Sequence, residues 1–465
     1  MTADAHVMKK QLLEESILFV SILKWVVIAT GIGIIVGLST AIFLKLLNMS
    51  IALSSQYPYY FLMLPLGMLI SATSIHYLEP EARGYGIEKV VEAVHRREGK
   101  IYTAIVPVKL VTTIVTIASG GSAGQVGPCG QIGASLSSFV ADIFKLGDND
   151  RKKLVICGLS AGFASVLGAP FAGAIFGVEV LYVGSIVYEV LLPSIIAGIT
   201  SYHFSSLFGI HYQYYPVNFV PAITEAFIFK MVLAGMFFGL CSVILIETLK
   251  YGEKISGKIS KSLPVRALIG GLILIGLTLS FSDQFLGTGL ESIQSSLTGE
   301  RIVIYAFFLK AVFTSITLNF GGSGGIVMPI LFIGATAGSM FGELFGLDRA
   351  TFSAVGFVSL LAGAANTPIA ASILAIEFFG GAIAPYAAIA CVVSFLMTGH
   401  RSVFTSQVLA MRKTSSVEVE IGKDIDNIET TFKRREKSLI DVVLKMVEKT
   451  TKIFTGGDKE DKIVK

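Results

Sequence analysis

The chain has 465 residues, of which 53% are apolar and only 15% charged, with a mean hydropathy of +0.73. That composition excludes a soluble globule and a disordered chain, and describes a polytopic membrane protein. The formal charge of +4 sits in loops and the tail, which fits a positive-inside bias and gives no support for nucleic acid as a partner.

Lys9 and Lys10 lead into an apolar stretch over 17–46 with no small-residue cleavage pattern, so the expectation is a retained first span rather than a signal peptide. A bilayer needs roughly 20 helical residues. Stretches of that order follow near 58–78, 101–118, 187–208, 226–249 and 302–320. Shorter ones at 154–168, 170–183, 352–366 and 368–380, separated by Gly, Asn and Pro, predict broken or tilted helices. Cys129, Cys157, Cys241 and Cys391 all lie in apolar stretches without metal spacing and read as packing residues. The six histidines (His6, His76, His95, His203, His211, His400) are scattered and give a metal site no support.

Gly120-Gly-Ser-Ala-Gly-Gln-Val-Gly-Pro128 returns as Gly321-Gly-Ser-Gly-Gly-Ile-Val-Met-Pro329. Upstream, Lys109, Val111, Thr113 and Thr116 recur in register as Lys310, Val312, Thr314 and Thr317. A second block, Ala169–Glu179, resembles Thr367–Glu377. The chain is therefore internally duplicated. The loop from Lys250 to Arg266 is basic, whereas its first-half counterpart, Met49 to Pro65, carries no charge. Equivalent loops on opposite sides mean that the halves are inverted. The expected order is a cytoplasmic segment 1–16, a first transmembrane half 17–208, an extracytoplasmic linker 209–223, a second half 224–410 and a charged cytoplasmic tail 411–465. Both termini are expected in the cytoplasm. The tail shows helical spacing at Leu439, Val442, Val443, Met446 and Val447, either as a face laid on the bilayer or another chain, or as a solvated amphipathic helix.

A helix that begins inside a membrane has bare N–H groups with partial positive charge, and an anion is their natural partner. Glycine lets backbone approach the ion, and dipole ends attract it without a full charge that would hold it too tightly. In inverted halves, helices starting near Gln125 and Gly325 point their N-termini at each other. Glu179 and Glu377 are expected to bond backbone or pair within the bundle rather than touch the ion.

Together these residues resemble the CLC family of chloride channels and proton-coupled chloride exchangers, over 17–410. Gly84-Tyr-Gly-Ile-Glu88 looks like the family's GSGIP segment, Gly124-Gln-Val-Gly-Pro128 like GREGP, Gly325-Ile-Val-Met-Pro329 like GxFxP, and Ser402-Val-Phe-Thr405 falls at the pore tyrosine. The resemblance implies an all-α, inverted-repeat fold, a homodimer in the cell membrane, an anion pathway in each subunit and no organic cofactor. The implied anion neighbours are Tyr85, Gly86, Ile87, Gln125, Val126, Gly127, Ile326, Val327 and Phe404. Lys109 and Lys310 fall at basic positions of the family and are expected to raise the potential along the pathway.

The departures carry more than the matches. The family's gating glutamate is Val126, and the position of its inner proton glutamate is Val180, so neither implied station can hold a proton. The GSGIP serine is Tyr85 and the pore tyrosine is Phe404. Either the Tyr85 hydroxyl replaces both donors, or Tyr85 turns away and backbone N–H groups of Ile326 and Val327 hold the anion. Glu88 replaces the GSGIP proline and would repel anions unless paired by Lys89 or Arg83. The expected function is a passive, chloride-preferring channel or uniporter. Three alternatives remain: an exchanger with another proton path, for which Glu88 is the substitute carboxylate; a carrier of nitrate or fluoride; and a non-conducting sensor or scaffold. No nucleophile with a base, phosphate loop or metal spacing suggests an enzyme.

Overall fold

A computed structural model of the chain describes residues 2–216, 224–415, 417–428 and 431–432. The tail spacing at Leu439–Val447 and the linker over 217–223 lie outside the described residues. Eight helices make the first half: α1 (Thr2–Ser54), α2 (Leu64–Tyr77), α3 (Ile87–Arg96), α4 (Ile105–Ala118), α5 (Val126–Ile143), α6 (Asp148–Leu167), α7 (Pro170–Glu179) and α8 (Leu191–Leu207). The second half repeats the order with α9 (Glu225–Ile259), α10 (Leu263–Ser280), α11 (Leu290–Leu297), α12 (Ala306–Asn319), α13 (Val327–Leu344), α14 (Arg349–Ala365), α15 (Pro368–Phe379) and α16 (Ala384–Met397).

The local chemistry repeats with the order. The helix α6 stops at Gly168 and α14 at Asn366, both left-handed, and a proline then opens the next helix in each half. Close packing of α5 on α6 places Gly133 against Gly158, and α13 on α14 repeats it with Gly334 against Gly356. A Cβ at any of these four would lie 2.2 to 2.3 Å from an atom of the facing helix.

Main contacts between the halves pair α2 with α10, α5 with α13, and α7 with α15. In these three pairs each helix meets its own counterpart, as helices lying along a pseudo-twofold axis do. Among the described residues six helices are long and apolar enough to cross a membrane, one of them α13, whose spanning window is 83% buried inside the protein.

Two expectations of span length are corrected. The stretches 101–118 and 302–320 read as full crossings, yet α4 and α12 have 14 residues each, about 21 Å of helix against a hydrocarbon core of about 30 Å. The first residues of each stretch are spent in a turn, and the chain then bends away at Gly120 (φ 104°) and Gly321 (φ 112°). Both helices therefore end within the protein. The packed body also runs past residue 411. Strand β1 (Tyr182–Val183) pairs in parallel with β2 (Val408–Leu409), and β3 (Val417–Glu418) with β4 (Thr431–Phe432). Val183, Leu409, Val419 and Ile425 form a small core there.

Candidate anion site and vestibule

The two glycine loops meet at the centre of the molecule. Gly124 N donates to Gly325 O at 2.8 Å and Gly325 N to Gly124 O at 2.7 Å. Around this bridge each half grips the other: Ser122 N donates to Thr317 Oγ1 and Ser323 N to Thr116 Oγ1, both at 3.0 Å. Ser122 Oγ lies 3.0 Å from Thr314 Oγ1, and Ser323 Oγ 3.2 Å from Thr113 Oγ1. The threonines that recur in the sequence are thus the hydroxyls that hold the opposite loop. In a medium without water these bonds have no competitor.

The helices α5 and α13 start directly after the bridge, with Gln125 and Ile326 as N-caps and Val126 and Val327 as first, fully buried residues. Gly86 caps α3 with φ 85° and lies against Gly127. A Cβ on Gly127 would sit 2.2 Å from Tyr85 O and 2.9 Å from Gly325 Cα. Tyr85, Gly86, Gly127 and Gly325 therefore converge on one point, beside the N-termini of α3, α5 and α13. Ile87 is buried at the start of α3.

Lys109 and Lys310 are fully buried and shape this arrangement. Lys109 Nζ donates to Ala82 O (2.9 Å) and Gly84 O (2.8 Å), while Lys310 Nζ donates to Phe285 O (3.0 Å) and Gly287 O (2.9 Å). Each lysine gathers the carbonyls that precede a helix, α3 or α11. The second loop reads Gly287-Thr-Gly-Leu-Glu291, a counterpart of Gly84-Tyr-Gly-Ile-Glu88 that the sequence reading passed over. An offset of 203, close to that of the other blocks, was the available signal.

Below Tyr85 opens a cavity of ≈ 600 Å³. Tyr85 and Glu88 form one wall, Ser402 and Thr405 face them, and Lys250, Glu253 and Lys254 of α9 line the mouth. Tyr85 is half-buried and Phe404 fully buried, with Phe404 N donating to Ser402 Oγ at 3.0 Å. The expected partners of Glu88 are corrected. Thr405 Oγ1 donates to Glu88 Oε1 at 2.8 Å, and Lys89 instead pairs with Glu92 at 2.8 Å. Thr405 was missed because its partner lies far away in the chain.

Buried Glu179 and half-buried Glu377 act as reciprocal caps. Glu179 accepts from Ile369 N (3.0 Å) and Ala370 N (2.7 Å) at the start of α15; Glu377 accepts from Phe171 N (3.0 Å) and Ala172 N (2.8 Å) at the start of α7. Val180 follows at the end of α7, buried, and its carbonyl accepts from Gln407 Nε2 at 2.7 Å. The helix ends α7 and α15 thus hold the protein's own carboxylates. Those of α5 and α13 present valine. Among the described residues no cluster of three His, Cys, Asp or Glu could hold a metal.

The family profile described as "Voltage gated chloride channel" matches residues 66–399. The chain belongs to that family, the CLC proteins. A chloride/fluoride channel protein of Pseudomonas syringae pv. tomato is 32% identical over 395 residues, covering 83% of this chain and 86% of the relative. An H(+)/Cl(−) exchange transporter ClcA of Vibrio parahaemolyticus is 28% identical, covering 65% and 68%. The crystal structure of a CLC-type fluoride/proton antiporter superposes with a TM-score of 0.80 at 26% identity, covering 83% of this chain and 98% of that one. The polytopic CLC fold is thereby shown, and with it membership of a family of anion channels and transporters rather than enzymes.

Proposed function

We propose that this CLC protein conducts a small anion passively, preferring chloride, without moving protons in exchange. Val126 carries the reading. It opens α5 at the central crossing, fully buried, where the family's proton-accepting glutamate is expected, and a valine neither binds a proton nor imitates a bound anion. Val180 leaves the inner station equally apolar. Selectivity rests on the N-termini of α3, α5 and α13, whose N–H dipoles favour an anion. The basic face with Lys250 and Lys254 is the cytoplasmic one, so the cavity below Tyr85 is the inner vestibule. Phe171, Ile199, Ile369 and Val392 expose apolar surface on α7, α8, α15 and α16, a face suited to a second copy in a homodimer.

Liposomes loaded with chloride test the reading. The wild type dissipates the gradient while an external pH electrode records no proton uptake. Val126→Glu slows neutral-pH flux about tenfold, equivalent to about 1.4 kcal/mol of occlusion, and acid restores it. Stoichiometric proton uptake by the wild type overturns the proposal. Fluoride is the second reading, favoured by the names of the 32% identical relative and of the superposed antiporter. Parallel fluoride and chloride electrodes separate the two.

A further inference from the structure

Glu88 lines the vestibule close to Tyr85 and the start of α3, where an anion leaving the central crossing passes an ionisable side chain. It is the second residue of α3, two positions after Gly86 and three after Tyr85, and its carboxyl reaches the opposite wall of the vestibule at Thr405. That wall belongs to the segment after α16, so one side chain spans the passage between the first half and the second. The hydrogen-bond partner is a neutral hydroxyl, not a cation. The nearest cation on its own helix, Lys89, is engaged by Glu92.

We propose that Glu88 is the gate of the inner mouth: ionised and tied to Thr405 it repels the anion, and protonated it lets the anion pass. The proposal rests on the passive reading, and it moves the titrating group from the crossing to the vestibule. The charges around Glu88 are Arg83 beside Tyr85, Lys89 and Glu92 on α3, Lys250, Glu253 and Lys254 on α9, and Asp426 of the tail. These are four basic and three further acidic groups, so they leave no strong net field to mask a change at Glu88. The helix α3 is amphipathic and outside the spanning segments. Burial raises the Glu88 carboxyl above the ordinary value, opposed by the Thr405 hydrogen bond and by Lys89, with Glu253 and Glu92 raising it further. The proton is therefore taken up at a higher pH than a free carboxyl near 4.3 would allow.

The test is chloride efflux from liposomes with equal pH on both sides, which removes any dependence on orientation. Wild-type flux should rise roughly fivefold between pH 7.5 and 5, within the range of electrostatic effects on rate. Glu88→Gln should be fast at both pH values, and Glu88→Asp should keep a pH dependence. Thr405→Val removes a bond that favours the ionised form, so its midpoint should move to higher pH. A merely structural Thr405 would leave that midpoint in place. A Glu88→Gln protein that keeps the wild-type pH profile, or that is slow throughout, overturns the gate. If Glu88→Gln does not fold, an unmoved midpoint in Thr405→Val overturns it. The proton electrode reports separately: proton uptake by the wild type overturns passive conduction whatever the pH profile shows.

Discussion

Glu179 and Glu377 each satisfy two N–H groups at the start of a helix from the other half, a task that water performs outside a membrane and nothing performs inside it. Each carboxylate oxygen accepts one N–H, so glutamine, which sets a donor NH2 in the place of one oxygen, faces a backbone N–H with another donor. Glu179→Gln and Glu377→Gln should each lower stability by about 1 to 3 kcal/mol, the cost of leaving a buried donor bare. Thermal melts of the detergent-solubilised protein measure this. Chloride flux near 25 °C should stay close to wild type, because neither carboxyl faces the crossing. On the proposed reading the same physics gives Val126 and Val327 their part: at α5 and α13 the protein withholds its own carboxylate, which leaves the position to a diffusible anion.

At the scale of elements, the crossing depends on backbone meeting backbone. Gly127→Ala puts a methyl 2.2 Å from Tyr85 O and 2.9 Å from Gly325 Cα, both main-chain atoms that cannot rotate away. It should cost at least about 1 to 3 kcal/mol and abolish flux. Gly31→Ala, in the open middle of α1 with no atom within 4 Å of the added carbon, should instead raise stability by about 0.5 to 1 kcal/mol. Melting temperatures and flux of the two variants make the comparison. Features of this kind were legible in the sequence. The paired glycine loops, the recurring lysine and threonines and the prolines of α7 and α15 act within a few residues and leave a local pattern. The shortness of α4 and α12 was not, because apolar turn residues look like helix until the chain bends. Nor were Thr405 with Glu88 or Gln407 with Val180, whose partners lie 317 and 227 residues apart. A hydrogen bond across such a distance imposes no spacing on either side.

Over the described residues the molecule is two eight-helix halves joined where α2 meets α10, α5 meets α13 and α7 meets α15, and the chain after α16 ties them a further time. Gln407 is the knot. Its Nε2 donates to Val180 O (2.7 Å) in the first half and Ala365 O (2.9 Å) in the second, while its Oε1 accepts from Ser402 Oγ (2.6 Å) and Asn366 Nδ2 (3.1 Å). Beyond it β2 joins β1, Lys413 Nζ donates to Asn366 Oδ1 at 2.6 Å, and Asp424 pairs with Arg96 of α3. Gln407→Leu keeps the volume and removes all four bonds, leaving two buried carbonyls without their donor. Stability should fall by about 1 to 3 kcal/mol. Deuterium exchange should quicken over 408–428 and stay unchanged in α13, whereas the end of α14, where Ala365 O accepts from Gln407, should respond with the segment. Unchanged exchange over 408–428 would mean that the β1–β2 pair and the Arg96–Asp424 pair hold the segment without Gln407. Because Thr405 lies two residues before Gln407 and holds Glu88, loosening this segment should also free the carboxyl at the inner mouth. The flux midpoint of Gln407→Leu should then move in the direction of Thr405→Val, to higher pH, linking the anchoring of the tail to the opening of the pathway.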